Sequence, residues 1–145
     1  MTRSRDISNS GLVLIKTGTM SAATTDITGV FSSKYDNYHI KLVYTGASSS
    51  GLVTWQGLQN TTPLTTAIYA YTRQVYNLTQ STASAQTAGW CGTYSTGRSS
   101  SSLDVFSPYL AENTNIFSTT AYAGAQIELF ASNASSTASF DGLRL

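Results

Sequence analysis

The sequence predicts an all-β protein, a single antiparallel β-sandwich of jelly-roll type with a short irregular N-terminal arm. Apolar residues alternate with a period of two in most segments, and no window carries a sustained helical stripe. Clusters of Gly, Ser, Asn and Pro recur between these segments at the spacing of strand connections. The 145 residues amount to one domain's worth of chain. We therefore assign residues 1–10 to the arm and residues 11–145 to the sandwich.

The first predicted strand covers residues 11–19, GLVLIKTGT, whose continuous apolar run is typical of a strand covered on both faces. The next covers residues 38–45, YHIKLVYT, where Tyr38 and Ile40 share one face and His39 takes the other. Similar patterns predict further strands at residues 52–58, 67–72, 75–79, 88–94, 102–106, 115–123, 125–131 and 138–145. Turns are predicted at residues 46–50, 60–63, 95–102, 123–124 and 133–136.

Charge is sparse in this chain. Only 10% of residues are charged, against roughly 25% in an ordinary soluble domain, and the net charge is +1. Because the basic residues are scattered, no field attracts phosphate backbones or anionic lipid, so we expect neither nucleic acid nor a membrane as a partner. No apolar run approaches the roughly 18 residues of a membrane helix. Weak electrostatic repulsion between copies favours self-association, and we expect a homo-oligomer.

One short stretch gathers the residue types of a serine hydrolase. Ser32, Ser33 and Asp36 lie close in sequence to His39, which is the single histidine. However, Asp36 and Asn37 are turn formers that directly precede the alternating strand, which favours a turn over a catalytic site. No G-x-S-x-G elbow occurs, so a serine hydrolase would have to be assembled from remote positions.

Other residues of catalytic or ligand-binding type are few and dispersed. One His, one Cys and seven scattered acids give no metal-ligand spacing, and no glycine-rich phosphate-binding motif is present. We therefore predict no metal, no cofactor and no catalytic residue, in a protein that is not an enzyme. A glycosidase that uses two of the carboxylates stays open, because sequence spacing does not exclude it. We interpret the single Cys91 as a buried structural thiol.

Aromatic residues are plentiful for so uncharged a chain, with nine Tyr, five Phe and two Trp. Tyr69, Tyr71 and Tyr76 recur over a short span in which alternation alone does not bury all three. Tyrosine combines a large contact area with a hydroxyl that tolerates water, so it suits subunit interfaces and sugar-binding faces equally. We predict these three residues as candidate interface aromatics.

Four segments resemble a known family. They are RSRDI (residues 3–7), GLVLIKTGTMSAA (11–23), FSSKYDNYHIKL (31–42) and SFDGLRL (139–145). Together they resemble a β-sandwich module of tailed-bacteriophage virions, found especially in phages of aquatic bacteria. Members of that family are capsid-decorating proteins when free-standing and tail-fibre domains when appended to longer chains. The family supplies no catalytic residues.

The closing motif of that family is matched by Phe140, Asp141 and Gly142. Such modules usually run on into a further strand, which closes a sheet edge. Since that strand is not expected here, its task is expected to fall to another segment of this chain or to a neighbouring subunit.

The resemblance implies a virion protein that is synthesised in the bacterial host cytoplasm. We expect a capsid decoration, or cement, protein whose partner is the major capsid protein and whose homo-oligomer is a trimer by analogy with virion proteins. Arg3, Arg5 and Asp6 would then form a capsid-contact arm that gains order on the shell. The sequence reaches its first apolar strand by Leu12, which leaves room for an arm but not for a fibre shaft. The alternative is a tail-fibre or glycan-binding tip whose partners are tail components.

Overall fold

The computed structural model describes residues 13–20, 23–46, 50–75, 80–122 and 126–145. These residues form two antiparallel β-sheets that pack together, and they form no helix, so no helix among them crosses a membrane. The predicted all-β antiparallel sandwich is confirmed.

Eleven strands occur within the described ranges. They are β1 Asp26–Ile27, β2 Asn37–Thr45, β3 Gly51–Gln59, β4 Thr62–Pro63, β5 Tyr69–Val75, β6 Ser81–Gln86, β7 Gly89–Tyr94, β8 Arg98–Phe106, β9 Thr114–Tyr122, β10 Gln126–Ala134 and β11 Gly142–Arg144. Most coincide with a predicted strand to within a few residues, because period-two alternation is a strong local signal.

The larger sheet has six strands in the order β2-β8-β9-β10-β5-β6. The smaller sheet has the order β1-β11-β3-β4, and β7 also pairs with β3. Strands β1, β2 and β3 alternate between the two sheets, whereas β8, β9 and β10 follow one another within the larger sheet. The meander β8-β9-β10 stands between β2 and β5, and it gives the larger sheet a broad outer face, the face turned away from the smaller sheet.

Residues 31–36 lead into β2 through a turn. The Ser32 N–H donates to the Tyr38 hydroxyl oxygen at 2.8 Å, and the Tyr38 hydroxyl donates to the Ser32 carbonyl at 3.1 Å. Burial then alternates along β2, with Tyr38 buried and His39 on the outer face. The predicted turn and the predicted half-buried strand are therefore confirmed.

The core lies between the sheets around Trp55 of β3. Its ring meets Tyr69 edge to face at 5.1 Å between ring centroids, and its indole N–H donates to the Ser132 hydroxyl at 2.7 Å. The Tyr69 hydroxyl donates to the Leu64 carbonyl at 2.9 Å and accepts from the Gly57 N–H at 3.0 Å. Further side chains of this core are Leu58, Leu103, Val105, Ile116, Phe140 and Leu143.

Two of the tyrosines predicted for an interface belong to this interior. Tyr69 is fully buried, and Tyr71 is buried and stacks on Trp90 with 3.7 Å between ring centroids. Both lie on the inner face of β5, which β7 of the opposite sheet covers. The structure corrects the prediction for these two residues, because their contact area is used within the chain. Tyr76 lies outside the described residues.

The motif of Phe140, Asp141 and Gly142 has a structural explanation at each position. Phe140 fills the core, and the Asp141 carboxylate accepts a hydrogen bond from the Asn60 N–H at 2.9 Å in the turn between β3 and β4. That turn needs support because Asn60 adopts a φ of 47°. A Cβ at Gly142 would lie 2.4 Å from the Ile27 carbonyl oxygen, so the glycine permits β1 and β11 to pair.

Several strand predictions differ from the structure. Residues 13–19 form no strand and are exposed, although their apolar run predicted a strand covered on both faces. β8 begins at Arg98, inside a predicted turn, because Ser99 and Ser101 are buried inner-face residues rather than loop residues. β6 has no apolar pattern, since it is an edge strand whose side chains are mostly exposed.

We expect Cys91 to be unreactive in the folded protein. The thiol is fully buried in β7, and burial raises its pKa, so almost no thiolate is available to attack an alkylating reagent. Iodoacetamide at pH 8 should modify the denatured chain completely, whereas the native chain should stay unmodified over the same time. Intact mass spectrometry measures both. Rapid native-state alkylation would contradict the interpretation of Cys91 as a structural thiol.

Candidate functional site

The outer face of the six-stranded sheet brings together His39, Ser102 and Asp104. In the pairing of β2 with β8, His39 lies directly opposite Asp104, and Lys41 lies directly opposite Ser102. Because successive side chains of a strand point to opposite faces, Ser102 and Asp104 both project outward, while Leu103 between them is buried in the core. The register of two strands therefore creates the cluster.

Hydrogen bonds join these side chains in the order of a serine–histidine–aspartate triad. His39 Nδ1 lies 2.7 Å from Asp104 Oδ1, and His39 Nε2 lies 3.2 Å from Ser102 Oγ. An ionised carboxylate only accepts hydrogen bonds, so the imidazole proton is placed on Nδ1. In the neutral tautomer that carries its proton on Nδ1, the Nε2 lone pair can accept the hydrogen bond of the Ser102 hydroxyl. A nucleophile, a base and a group that orients the base therefore stand in sequence.

An open groove of about 320 Å³ runs beside this triad. Its lining includes Thr72, Gln74, Ser102, Asp104, Phe117 and Leu129. Phe117 and Leu129 are more than half exposed, and Phe117 meets Phe106 edge to face at 6.0 Å between ring centroids. The groove thus has the apolar side chains Phe117 and Leu129 in its middle and polar side chains at both ends, from β5 and from β8, and it is open to solvent.

This cluster was not predicted from the sequence, although His39 was considered as a catalytic base. Its neighbours in the sequence are Ser32, Ser33 and Asp36, and the pattern of that stretch predicted a turn. The partners of His39 are instead Ser102 and Asp104, which lie 63 and 65 positions away. No local signal could have found them, because the sequence does not specify that β2 pairs with β8 at this register.

Other predictions concern residues or groups that the structure leaves open. Arg3, Arg5 and Asp6 of the predicted arm lie outside the described residues. Across the described ranges no group of three or more His, Cys, Asp or Glu side chains is placed to hold a metal ion.

No family model, no curated protein and no solved structure matches this chain. The absence of metal, cofactor and catalysis remains a prediction from the sequence.

A second polar cluster lies inside the sandwich around Glu128 of β10. The carboxylate is fully buried and accepts hydrogen bonds from the Arg73 guanidinium (3.0 Å from Nε to Oε2), from the Thr93 hydroxyl and from the Tyr122 hydroxyl at 3.1 Å. Burial by itself would raise the pKa of Glu128, but the hydrogen bonds, led by those from Arg73, outweigh it and lower that pKa. Partners from β5, β7 and β9 therefore hold the charge inside the protein.

A chain of hydroxyl groups continues from this cluster and joins the two sheets. The Tyr44 hydroxyl donates to the Thr93 carbonyl at 3.1 Å, and its oxygen lies 2.6 Å from that of Ser101, which lies 2.6 Å from that of Thr120. A Cβ at Gly92 would lie 2.7 Å from both the Tyr44 and Ser101 oxygens, so the glycine allows β7 to come this close. Since these hydroxyls are paired within the chain, we assign the cluster a structural role.

Proposed function

We propose that the protein is a structural component of a tailed-phage virion, a decoration or cement protein that binds the outer surface of the head shell. The resemblance of the four segments to virion modules supports this role. The structural observation that supports this role is the exposed apolar segment of Val13, Leu14 and Ile15. All three side chains are exposed, with Leu14 at 79%, in a segment outside every described strand.

Exposed apolar side chains of this kind indicate a surface that another protein covers. The segment stays beside the sandwich, because the Lys16 ammonium donates to the Thr28 carbonyl at 3.3 Å and Met20 packs against the core. In the sequence it follows shortly after the predicted arm residues Arg3, Arg5 and Asp6. The partner in this proposal is the major capsid protein, and binding only to the assembled shell stabilises the shell by mass action.

We expect Val13→Asp to weaken binding of the purified protein to heads that lack it by at least about tenfold, since a charge would be desolvated in the interface. Val43→Asp is the matched control, because Val13 and Val43 are 56% and 55% exposed in different parts of the chain. Co-sedimentation with heads measures both. Equal binding by both variants would remove the segment from the interface.

The copy number in purified virions tests the role itself. Quantitative mass spectrometry should find hundreds of copies per particle, comparable to the major capsid protein. A few dozen copies or fewer would exclude the cement role and favour the tail. In the same proposal the protein forms a homo-oligomer, most simply a trimer. The exposed Phe106 at the end of β8, with Tyr109 and Leu110 shortly after it, offers apolar surface for this contact. Light scattering that gave a monomer for the free protein would count against this self-association.

A tail-fibre or glycan-binding tip is the second candidate, and the groove on the outer face favours it. The exposed ring of Phe117 offers a stacking surface for a sugar, and Gln74 and Asp104 beside it offer hydrogen-bond partners. Glycan-array binding that Phe117→Ala abolishes, together with a low copy number, would support this candidate over the cement role.

A further inference from the structure

We propose that Ser102, His39 and Asp104 form a nucleophilic serine site that cleaves esters of short carboxylic acids by acyl transfer. The inference goes beyond a structural role and runs against the sequence-based expectation that the protein is not an enzyme. It rests on the hydrogen-bond order of the three side chains and on the groove beside them. It does not depend on the virion assignment.

Each side chain has the contact that its role requires. His39 Nε2, at 3.2 Å from Ser102 Oγ, is placed to take the hydroxyl proton. Asp104 Oδ1, at 2.7 Å from Nδ1, holds the ring in the tautomer that leaves Nε2 unprotonated, and it stabilises the imidazolium that forms. Ser102 is one of the residues that line the groove in which an ester would bind.

Water is the second reactant, so the net reaction is hydrolysis of the ester to an acid and an alcohol. Ser102 Oγ attacks the ester carbonyl carbon while its proton passes to His39 Nε2, and the carbonyl oxygen becomes an oxyanion. The carbon–oxygen bond to the alcohol then breaks, and the imidazolium returns its proton to the leaving alkoxide. Water attacks the acylated serine by the same route in reverse, which releases the carboxylic acid and restores the Ser102 hydroxyl.

Two side chains flank Ser102 and are placed to stabilise the oxyanion. Lys41 lies directly opposite on β2 and Thr119 directly opposite on β9, and both project from the outer face. Directly paired residues have Cβ atoms about 5 Å apart, so the Lys41 ammonium and the Thr119 hydroxyl lie within side-chain reach of Ser102. Because β8 is an interior strand, its backbone N–H groups are engaged in sheet pairing and supply no backbone oxyanion hole.

The groove sets the class of substrate. Phe117 and Leu129 provide apolar walls for a short acyl chain, and the open face admits an alcohol of any size. Without a backbone oxyanion hole, catalysis depends on a good leaving group, so activated esters are the substrates on which the activity appears first. We therefore commit to acetyl and butyryl esters.

The test uses a fluorophosphonate probe and p-nitrophenyl butyrate on the full chain. We expect the probe to form a covalent adduct on Ser102, located by peptide mass spectrometry, and the ester to give a burst of p-nitrophenol near one equivalent. Ser102→Ala should abolish both signals, and Asp104→Asn should reduce the labelling rate by at least about tenfold because the tautomer is lost.

Ser100→Ala is the matched control, since Ser100 projects from the same face of β8 two residues earlier and lies opposite Val43 rather than a base. It should keep the wild-type labelling rate and burst. All variants are first shown to share the far-UV circular dichroism and melting temperature of the wild type. The proposal is overturned if Ser102 carries no adduct, or if Ser102→Ala and Ser100→Ala retain the same ester hydrolysis.

Discussion

Trp55→Ala should lower the free energy of unfolding by about 4 kcal/mol, the typical cost of removing a fully buried indole. Trp55 is 1% exposed, packs edge to face against Tyr69 and donates its indole N–H to the Ser132 hydroxyl. The substitution therefore leaves a large cavity between the sheets and a buried hydroxyl without its donor. Urea denaturation followed by circular dichroism measures the change.

The other tryptophan provides the control. Trp90 of β7 is only half-buried, and it stacks on Tyr71 of β5. Trp90→Ala therefore leaves a smaller cavity that water can reach. We expect its loss of stability to be less than half that of Trp55→Ala. Equal losses for the two variants would show that the core is not centred on Trp55.

Glu128→Ala should lower the free energy of unfolding by about 3 kcal/mol, because it removes one member of a largely buried ion pair and leaves the other uncompensated. The Arg73 guanidinium would lose its carboxylate partner, and the Thr93 and Tyr122 hydroxyls would lose an acceptor. Arg73 keeps partial contact with water, so the expected loss lies at the lower end of what such removals cost. Chemical denaturation at pH 7 measures it.

Acid should weaken the stabilisation that Glu128 provides. An unfolded glutamate has a pKa of about 4.3, and the pKa of Glu128 is lowered in the folded protein. The stability advantage of the wild type over Glu128→Gln is therefore fully present above about pH 4.3 and is lost as the pH falls through the folded-state pKa. Glu112→Gln, at an exposed position, is the control and should behave as the wild type. A stability difference that persists unchanged to pH 2 would contradict this prediction.

The strand content of this protein was accessible from its sequence because alternation is a local property. β2 shows this most clearly, since YHIKLVYT alone predicted that Tyr38 faces inward and His39 outward. The turn before β2 was also predictable, because Asp36 and Asn37 favour turns on their own. The extended segment at residues 13–19 was not, since an apolar run indicates the tendency to form a strand but does not provide a neighbouring strand to pair with.

Which face of a strand is buried was decided by the tertiary structure in β10. The pattern AQIELFA alternates, yet Glu128 is buried while Ile127 and Leu129 are exposed on the outer face. Arg73 and Thr93 make this possible by supplying a cation and a hydroxyl from β5 and β7, strands distant in the chain. A local pattern ranks residues by their affinity for water, and it carries no information about partners that remove the cost of burial.

The sequence by itself determined the all-β class, the period-two strands and the turn before β2, because each depends on residues within a few positions of one another. Only the tertiary structure decided that His39 meets Ser102 and Asp104, because strand order and register bring together positions more than 60 residues apart. A shift of one residue in the pairing of β2 with β8 would change the face presented opposite Asp104 and separate the three side chains.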